Sequence, residues 1–468
     1  MLSTRLAASL TGRGIYYGWV VAAVTFLTML VTAAAVGAPG VLIVPLEKEF
    51  GWQTAEISSA LAIRLLLFGL MGPFAAAFMN RFGLRRVILV ALSLIGGGML
   101  ASLAMTKVWQ LILLWGVVVG FGTGLVALVL GATVATRWFT ERRGLVIGLL
   151  TASSATGQLV FLPLMAQVTE HLGWRSALLL VCGLQAVAAI AVILFMRDRP
   201  SDLSLAPYGE GAVVPPPANA ASLWSLVSAP IEALREASRS SMFWVLFGTF
   251  FICGASTNGL IQTHFISLCG DYGLAAVSAA GVLAMMGAFD FVGTVGSGWL
   301  SDRYDNRWLL FWYYGLRGLS LLYLPFTDFS FYGLSLFAMF YGLDWIATVP
   351  PTVKLAAQHF GREKANLVFG WVFAGHQLGA ATAAFGAGLS RTVLDSYLPA
   401  FFAAGALCLI AAALVLLLRL STHDAAGRAS RNEEAIGGSL WAGVLELWSR
   451  PFLRYMAILM VLGDGIGT

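Results

Sequence analysis

Apolar residues occur in long runs along the whole chain, and short polar stretches between them hold most of the charges. A run of about 20 apolar residues can cross the hydrocarbon core of a bilayer as a helix. Six such runs lie before the middle of the chain, at 15–37, 57–79, 86–106, 109–133, 143–166 and 174–196. Six more lie after it, at 242–266, 275–299, 308–326, 330–350, 365–389 and 396–420. Because lipid offers no partner to backbone groups, the pattern predicts an all-α membrane protein with twelve transmembrane helices.

The two sets of six runs are related by a repeat at one fixed offset of 222 residues. The polar stretch at 76–85 recurs at 298–307, the stretch at 145–148 recurs at 367–370, and Gly157 recurs as Gly379. Such matches indicate that one six-helix bundle was duplicated into two pseudo-symmetric halves. Duplicated bundles in membranes place a binding site near the midplane, between the halves, where it can face either side in turn.

The repeat and the composition of the breaks divide the chain into four parts. These are an N-terminal bundle at 1–196, a linker at 197–241, a C-terminal bundle at 242–420 and a tail at 421–468. The linker contains three consecutive prolines and then an amphipathic stretch, which we expect to lie on the inner membrane face as a tether. The last apolar run of the tail, at 452–468, fits either an interfacial helix or a truncated thirteenth span.

Composition and charge support a membrane location. Hydrophobic residues make up 59% of the chain and charged residues only 11%, whereas an ordinary soluble domain is about one quarter charged. Lysine and arginine concentrate in the loops on the side of the N-terminus, which predicts that both termini are cytoplasmic. No cleavable signal peptide is evident, so we expect a multi-pass protein of a bacterial-type inner membrane. The net charge of +5 then reflects topology and requires no nucleic acid.

The repeated polar loop is the first family signature. Asp302, Arg303 and Arg307 in the second half, and Arg81 and Arg85 in the first, resemble the signature loop of the major facilitator superfamily. An acid at a helix end can pair with basic groups of the next helix and fasten one conformational state. In the first half Asn80 occupies the position of the acid. We therefore predict a gating and scaffold role for these residues, with a weaker latch in the first half.

A second set of motifs narrows the resemblance. The stretch 138–148, which contains Arg142 and Arg143, and the stretch 50–58 look like the monocarboxylate-porter branch, which includes oxalate–formate exchangers. We assign Arg142 and Arg143 to the scaffold, although they also suffice as positive-inside anchors. Monocarboxylate porters carry an Asp in span eight and, four residues later, an Arg that engages the carboxylate. Asp290 matches that Asp, but Thr294 stands in the Arg position, so the anion-binding arginine must come from elsewhere.

Charges inside the spans are costly, about 2.5–3.5 kcal/mol each on insertion scales, and are therefore functional candidates. We predict that Arg64, in span two, binds a carboxylate with two parallel hydrogen bonds; the alternative is that it snorkels to the outer surface. Asp290 lies too deep to snorkel and is a candidate proton carrier. Arg317 and Asp344 lie in consecutive spans, which favours a structural ion pair. Alternatively, Asp344 carries a proton and is tuned by Arg317 or Lys354.

Polar residues in the spans that line the cavity in the resembled family complete the candidate site. His376 lies between glycines and is a candidate both for binding the substrate and for carrying a proton. For His264 a core position is at least as plausible as substrate binding. The candidate substrate-binding residues are Arg64, Gln158, Asn258, Gln262, His264 and His376, and the candidate proton-coupling residues are Asp290, Asp344 and His376.

The sequence thus predicts a secondary active transporter that moves a small organic anion by alternating access, coupled to protons and working as a monomer. Efflux of a hydrophobic or amphiphilic compound by the same fold is the alternative, and a non-transporting membrane sensor is a remote one. No phosphate-binding loop, catalytic cluster or metal-ligand spacing occurs in the sequence, so we expect neither an enzyme nor a cofactor. The four cysteines are widely separated and are expected to be free thiols.

Overall fold

The computed structural model of the chain describes residues 2–126, 128–210, 213 and 223–416. A short helix at the N-terminus, α1 (Leu2–Thr11), precedes the first long one. The long helices of the first half are α2 (Gly18–Phe50), α3 (Thr54–Phe82), α4 (Leu84–Ala101), α5 (Val108–Trp138), α6 (Arg143–Leu172) and α7 (Trp174–Phe195). The linker contributes α8 (Leu223–Ala237). The predicted tail at 421–468 lies outside the described residues.

The second half contains the same succession with one interruption. Its helices are α9 (Ser241–Asp271), α10 (Ala276–Arg303), α11 (Asn306–Tyr323), α12 (Phe331–Asp344), α13 (Val349–Phe360), α14 (Arg362–Leu394) and α15 (Leu398–Leu416). Of the described segments, nine are both long and apolar enough to cross a membrane. Among the described residues, β structure is limited to one isolated bridge between Phe139 and Tyr208.

Tight turns join the long helices, so that consecutive helices run antiparallel. The turn between α2 and α3 shows how the sequence encodes one. Gly51 adopts a left-handed conformation (φ 68°) and its N–H donates to Glu47, which ends α2. Gln53 then begins α3, and its backbone N–H donates to the Glu56 side chain at 2.9 Å. The polar stretch after the first apolar run is therefore a helix stop followed by a helix start.

Two spans differ in extent from the sequence prediction. The first continues to Phe50 rather than ending near residue 37, because the helix passes through Pro39 and Pro45. The tenth continues to Phe360 rather than ending near residue 350, and it is split into α12 and α13 by a turn at 345–348. The prolines at 350 and 351 explain the restart, since proline is favoured in the first turn of a helix.

The 222-residue repeat is visible in the helix boundaries. Displaced by this offset, α4 coincides with α11 at both ends, and α3 coincides with α10 to within one residue. The π-helical segment Ala255–Ile261 of α9 has no π-helical counterpart, because it corresponds to the part of the continuous helix α2 that ends at Pro39. The break at 345–348 corresponds to the end of the regular helix at Leu125 in α5. The halves therefore share helix boundaries and the interruption of the fourth helix, whereas the π-helical stretch Ile112–Val119 of α5 corresponds to regular helix in α12.

The two halves contact each other along three helix pairs. These are α3 with α14, α6 with α10, and α2 with α9. At the end opposite to the linker, which we call the far end, the Ala55 N–H donates to Thr392 Oγ1 at 3.1 Å. Towards the middle, Gly69 packs directly on Gln377 and Gly40 on the backbone of Gln262. Small residues thus allow the backbones of opposite halves to approach closely.

The predicted linker consists of two differently packed pieces. Residues 200–210 lie on the N-terminal bundle, where the Tyr208 N–H donates to the Trp138 carbonyl at 2.9 Å and the Tyr208 ring packs against Tyr16. Helix α8 packs instead against α3 and α14, and its Pro230 carbonyl accepts from Trp371 Nε1 at 2.7 Å. The Trp224 side chain of α8 is 76% exposed. The domain boundaries at 196 and 241 stay predictions, and the described residues show how each side of the linker is attached.

Candidate functional site

A π-helical stretch, a break or a proline lies near the middle of four long helices, the first and fourth of each half, and α3 and α6 also contain an internal proline. Helix α2 contains Pro39, α5 contains a π-helical stretch at Ile112–Val119, α9 contains one at Ala255–Ile261, and the tenth span is broken at 345–348. In lipid, non-helical backbone is tolerated where it is buried in protein or lines a cavity, and broken helices mark the sites of many transporters. These four places therefore indicate where the candidate site lies.

Arg64 of α3 contacts the irregular part of α2. Its side chain donates from Nη1 to the carbonyls of Ala35 at 3.2 Å and Val36 at 3.0 Å. Because Pro39 has no N–H, the Ala35 carbonyl lacks its normal helical partner. Arg64 is only 5% exposed, which does not agree with the alternative that it snorkels to the surface. Among the described residues, Arg64 forms no salt bridge.

Two polar groups without a partner lie near the same part of α2. Gln262 of α9 is buried beside Gly40, where an added Cβ would lie 2.6 Å from the Gln262 carbonyl. Its Nε2 has no hydrogen-bond partner among the described residues, and the same holds for the hydroxyl of Thr32, one turn before Val36. Buried donors are normally satisfied, so these groups have unused capacity for a ligand.

The two histidines differ in their surroundings. His376 of α14 is buried against Phe250 and stacks on Phe373, with the ring centroids 5.6 Å apart, and its Nδ1 has no partner in the described part of the chain. His264 is fully buried, and its Nε2 lies 2.8 Å from the Ala384 carbonyl. His264 therefore packs as a core residue between α9 and α14. Substrate binding by either histidine stays a prediction.

The other polar residues of α9 bond mainly to their own helix. Ser256 and Thr257 both donate to the Cys253 carbonyl, and Tyr341 of α12 donates to the Ser256 carbonyl at 2.8 Å. Asn258 is half-buried. The polar character of this helix thus serves partly to satisfy the π-helical backbone, which loses regular hydrogen bonds.

Three charges from three helices meet at the break of the tenth span. Arg317 of α11 donates from Nε to Asp344 Oδ2 at 2.8 Å, and its Nη2 donates to the carbonyls of Asp344 and Trp345. Asp290 of α10 accepts at Oδ1 from the Ile346 N–H at 2.8 Å and from Thr294 at 3.0 Å. The structure thus brings together Arg317 and Asp344, and it adds Asp290 to them. Thr294, which replaces the family's arginine, bonds to the acid one turn before it.

The signature loops are arranged differently in the two halves. In the first half, Arg137 donates to Asn80 Oδ1 at 2.6 Å, so the amide oxygen still accepts from an arginine. The N–H of Arg85 at the start of α4 donates to Asp198 Oδ1, and the Arg85 side chain donates to the Ile193 carbonyl. Asp198 thus supplies an acid at this helix start. Arg81 packs on the Phe82 ring.

In the second half, Arg307 pairs with Asp305 at 2.7 Å and Arg303 packs over the Trp299 ring at 4.0 Å. Arg142 has a left-handed backbone (φ 57°) and lies over the Tyr208 ring. The gating and scaffold roles of these residues stay predictions. The side chains of Gln158, Asp302 and Arg143 lie outside the described part of the structure.

Sequence reasoning missed several residues of this region. Cys253 accepts from Arg317 Nη1 at 2.9 Å, and Gln377 is buried with Oε1 unpartnered among the described residues. Gln185 of α7 donates to the Val31 carbonyl at 3.1 Å. An amide inside an apolar span is a detectable signal, so the rule that selected Gln262 also covers Gln377 and Gln185. The role of Cys253 has no such signal, because buried thiols are common in apolar helices.

Comparison with known proteins decides the family. The model of the Major Facilitator Superfamily matches residues 25–384 and also residues 297–467. The chain belongs to the major facilitator superfamily. The D-xylose-proton symporter, in a crystal structure, superposes with a TM-score of 0.64 at 14% identity, covering 87% of this chain and 99% of that one. At this identity the likeness concerns the fold alone, and it confirms the predicted all-α bundle of twelve helices.

Curated relatives place the chain near the monocarboxylate transporters. It is 27% identical over 410 residues to monocarboxylate transporter 13 of Bos taurus, covering 86% of this chain and 89% of the relative. It is 23% identical over 362 residues to the uncharacterized MFS-type transporter YcxA of Bacillus subtilis (strain 168), covering 76% and 83%. The expected resemblance to the monocarboxylate branch is confirmed. The protein is a multi-pass integral membrane transporter of a small molecule, and it is not an enzyme.

Proposed function

We propose that this transporter carries a small organic anion by alternating access, that Arg64 binds the anion, and that protons drive the movement. The observation that carries this proposal is the buried state of Arg64. Its two hydrogen bonds go to the backbone carbonyls of Ala35, which Pro39 deprives of a helical donor, and Val36, and both come from Nη1. A guanidinium has five N–H donors, so its other edge remains free for a planar carboxylate.

The electrostatics of the surroundings favour an anionic substrate. An unpaired charge in the bilayer interior costs about 2.5–3.5 kcal/mol on insertion scales. Arg317, the other deeply buried arginine, has a carboxylate partner, whereas Arg64 has none among the described residues. We infer that the missing counter-ion of Arg64 is the substrate. This assignment is also compatible with Thr294 in the position of the family's arginine, because Arg64, in the other half of the molecule, would bind the carboxylate instead.

The position of Arg64 suits a site between the halves. Arg64 lies ten residues from the start of α3, about 15 Å along the helix at 1.5 Å per residue. Gln262 reaches the same part of α2 from the C-terminal half, and Thr32 belongs to α2 itself. An anion held by Arg64 and Gln262 would therefore contact both halves. Rocking of the halves about such a site would expose it to each side in turn.

The names of the relatives and the distribution of charges support the choice of substrate class and the orientation in the membrane. The relative from Bos taurus is named a monocarboxylate transporter, which suggests carboxylates as the first compounds to test. We assign proton coupling to Asp290, Asp344 and His376, and we place both termini in the cytoplasm of a bacterial-type cell because basic residues gather on that side. We expect the monomer to be the working unit.

Transport into proteoliposomes tests the anion assignment. Labelled mono- and dicarboxylates are offered under an imposed pH gradient to wild type, Arg64→Lys and Arg64→Gln. A charged hydrogen bond is worth about 1.5–3 kcal/mol, so Arg64→Gln should raise the half-saturating concentration by roughly 10- to 100-fold. Arg64→Lys keeps the charge but loses the planar pair of donors, and it should give an intermediate loss.

A matched control removes an arginine that is not in the site. Arg175 forms a surface ion pair with Glu49 at the far end, so Arg175→Gln should transport like wild type. If Arg64→Gln moved an established substrate as well as wild type, the anion site would be wrong. That result would favour efflux of a hydrophobic or amphiphilic compound, for which dependence on Arg64 is not expected.

A further inference from the structure

The break in the tenth span places the ends of two half-helices deep in the protein. Helix α12 ends at Asp344 and α13 begins at Val349. The end of α12 carries carbonyl groups without helical partners, which attract positive charge. Arg317 donates to the two carbonyls of Asp344 and Trp345 at this end. Within the break, Asp290 accepts from the Ile346 N–H.

The first half of the molecule forms a similar irregularity without any charge. The regular helix ends at Leu125 in α5, at the position that corresponds to the break. At the offset of 222 residues, Asp290, Arg317 and Asp344 correspond to Phe68, Ile95 and Gly122. The irregular backbone therefore does not require ionisable residues. Three costly charges kept in one half alone need a further explanation.

Counting charges at the break shows an imbalance. Asp344 pairs with the Arg317 guanidinium, and Asp290 lies in its electrostatic field on the adjacent Ile346 N–H, so the fully ionised cluster of two carboxylates and one guanidinium has one excess negative charge. Its other titratable neighbours are thiols and phenols, which carry no charge while they are protonated. They are Cys253 of α9, Tyr313 and Tyr314 of α11, Tyr341 of α12 and Cys408 of α15. His376 of α14 faces Arg317, so a positive charge on its ring would meet a like charge. Lys354 of α13 donates to the Ser301 carbonyl.

One carboxylate oxygen is open at the break. Asp344 is 6% exposed, and its Oδ1 has no hydrogen-bond partner among the described residues. A buried carboxylate oxygen without a partner is unfavourable when charged. One proton on the cluster removes the excess charge and leaves Arg317 with a single counter-ion.

We propose that Asp290, Arg317 and Asp344 form a single site that binds one exchangeable proton, with Arg317 as the positioning residue that holds it at the break of the tenth span. The proposal deepens the proton coupling of the proposed function and rests on it. The proton comes from water, binds a carboxylate oxygen and leaves by the reverse step, with no other bond changed. Because one guanidinium neutralises one acid, both acids are required to bind a proton.

Charge counting predicts which isosteric variants still bind the exchangeable proton. Asp290→Asn leaves Asp344 paired with Arg317, and Asp344→Asn leaves Asp290 with the same arginine. Neither neutral pair retains an excess charge, so both variants should lose the exchangeable proton. The double variant Asp290→Asn/Arg317→Gln leaves one acid alone and should regain it. If Asp290 alone bound the proton, Asp344→Asn would leave proton binding unchanged.

Infrared difference spectroscopy on purified protein in nanodiscs tests this pattern without any substrate. Spectra in mildly acidic and mildly alkaline buffer are compared for the carbonyl band of a buried protonated carboxyl group. Wild type should show a band that disappears at alkaline pH. The band should be lost in each single variant and should return in the double variant. Asp271→Asn, which removes an acid paired with Arg391 at the far end, should leave the band unchanged.

Each outcome decides the proposal. A wild-type band in Asp344→Asn, or no band in wild type, overturns it. If Asp344→Asn fails to fold, Asp344→Glu keeps the charge count and must keep the band, and Asp290→Asn together with the double variant still decides the question. Since no substrate is present, a failure of the carboxylate transport test leaves this measurement intact, and the two proposals can fail separately.

Discussion

Two buried arginines, one in each half, both donate to backbone carbonyls. Arg64 donates to carbonyls beside Pro39 of α2, and Arg317 donates to carbonyls at the end of α12. In both cases a guanidinium donates to a carbonyl without a regular helical donor, that of Ala35 because of Pro39 and that of Asp344 because α12 ends there. They differ in charge compensation, because only Arg317 has a carboxylate partner among the described residues. Because of this difference, Arg64 is the candidate for binding an anion, whereas Arg317 stabilises the break of the tenth span.

Removal of Arg317 should be costly for stability. Arg317→Gln leaves Asp344 buried without its counter-ion, and breaking a buried pair in this way costs about 3–5 kcal/mol. We expect a lower midpoint of thermal unfolding in detergent. The decrease in the unfolding midpoint should be larger in alkaline buffer, because in acidic buffer a proton can neutralise Asp344 in place of the arginine.

The double variant Arg317→Gln/Asp344→Asn should recover part of the lost stability, since position 344 then has no buried charge and Asp290 is the one remaining acid of the cluster. A double variant that is as unstable as Arg317→Gln would show that the hydrogen bonds to the carbonyls, and not the charge, determine the loss.

At the scale of elements, the linker is attached to both halves by different contacts. Residues 200–210 pack on the N-terminal bundle through Tyr208, whose ring lies 5.4 Å from Tyr16 and 6.0 Å from Phe139. Helix α8 packs on α3 and α14, which belong to opposite halves. The exposed apolar side chains of α8, Trp224 and Ile231, agree with the predicted location at the membrane surface. The linker is thus positioned to follow a relative movement of α3 and α14.

Tyr208→Ala should release the first part of the linker. Loss of its aromatic contacts is expected to cost about 2 kcal/mol, which would raise the rate of limited proteolysis within residues 197–222 by roughly 30-fold. Gel analysis of the two half-sized fragments measures that rate. Tyr304→Ala is the control, because Tyr304 is an exposed tyrosine in the turn after α10. Equal cleavage of both variants would contradict the docking of this segment.

For the whole molecule, the contact between α3 and α14 is set by residues without large side chains. At Gly69 an added Cβ would collide with the side chain of Gln377, whereas at Gly72 it would lie 3.9 Å from Phe373, an ordinary contact. At the far end, Ala55 and Thr392 are joined by a hydrogen bond between the halves. The conformation described here therefore depends on close approach of backbones that must separate if the halves rock.

A pair of glycine variants tests this dependence. Gly69→Ala should push the halves apart at a cost of about 1–3 kcal/mol, whereas Gly72→Ala should be neutral. Cross-linking between Ala55→Cys and Thr392→Cys in membranes reports how often the far end is closed. We expect Gly69→Ala to slow cross-linking at least 5-fold relative to Gly72→Ala. The native cysteines of the described part are buried or half-buried, and single-cysteine variants control for them. Equal rates would mean that this contact does not set the conformation.

The sequence predicted the features that depend on local composition. Helix number and the repeat follow from apolar runs and matching residues, because each span must satisfy its own backbone in lipid. The polar residues that matter were also visible, since Arg64, Asp290, Arg317 and Asp344 stand out in apolar surroundings. The extent of α2 was not, because the continuation through Pro39 is supported by Arg64, 25 residues further along the chain. The break of the tenth span was also missed, although the prolines at 350 and 351 are a local signal for the helix restart; the open carbonyls before it are satisfied by Arg317 from another helix.

Residue pattern alone was enough to predict the fold family, the duplicated architecture and the identity of the buried charges. The contacts of those charges became known only from the assembled bundle: Arg64 donates to the Ala35 and Val36 carbonyls of α2, and Asp290 accepts from the Ile346 N–H beside the Arg317–Asp344 pair. The physical reason is that hydropathy acts on each segment separately, whereas the compensation of a buried charge depends on which helices lie next to it. Partners from different helices become apparent only when the bundle is assembled.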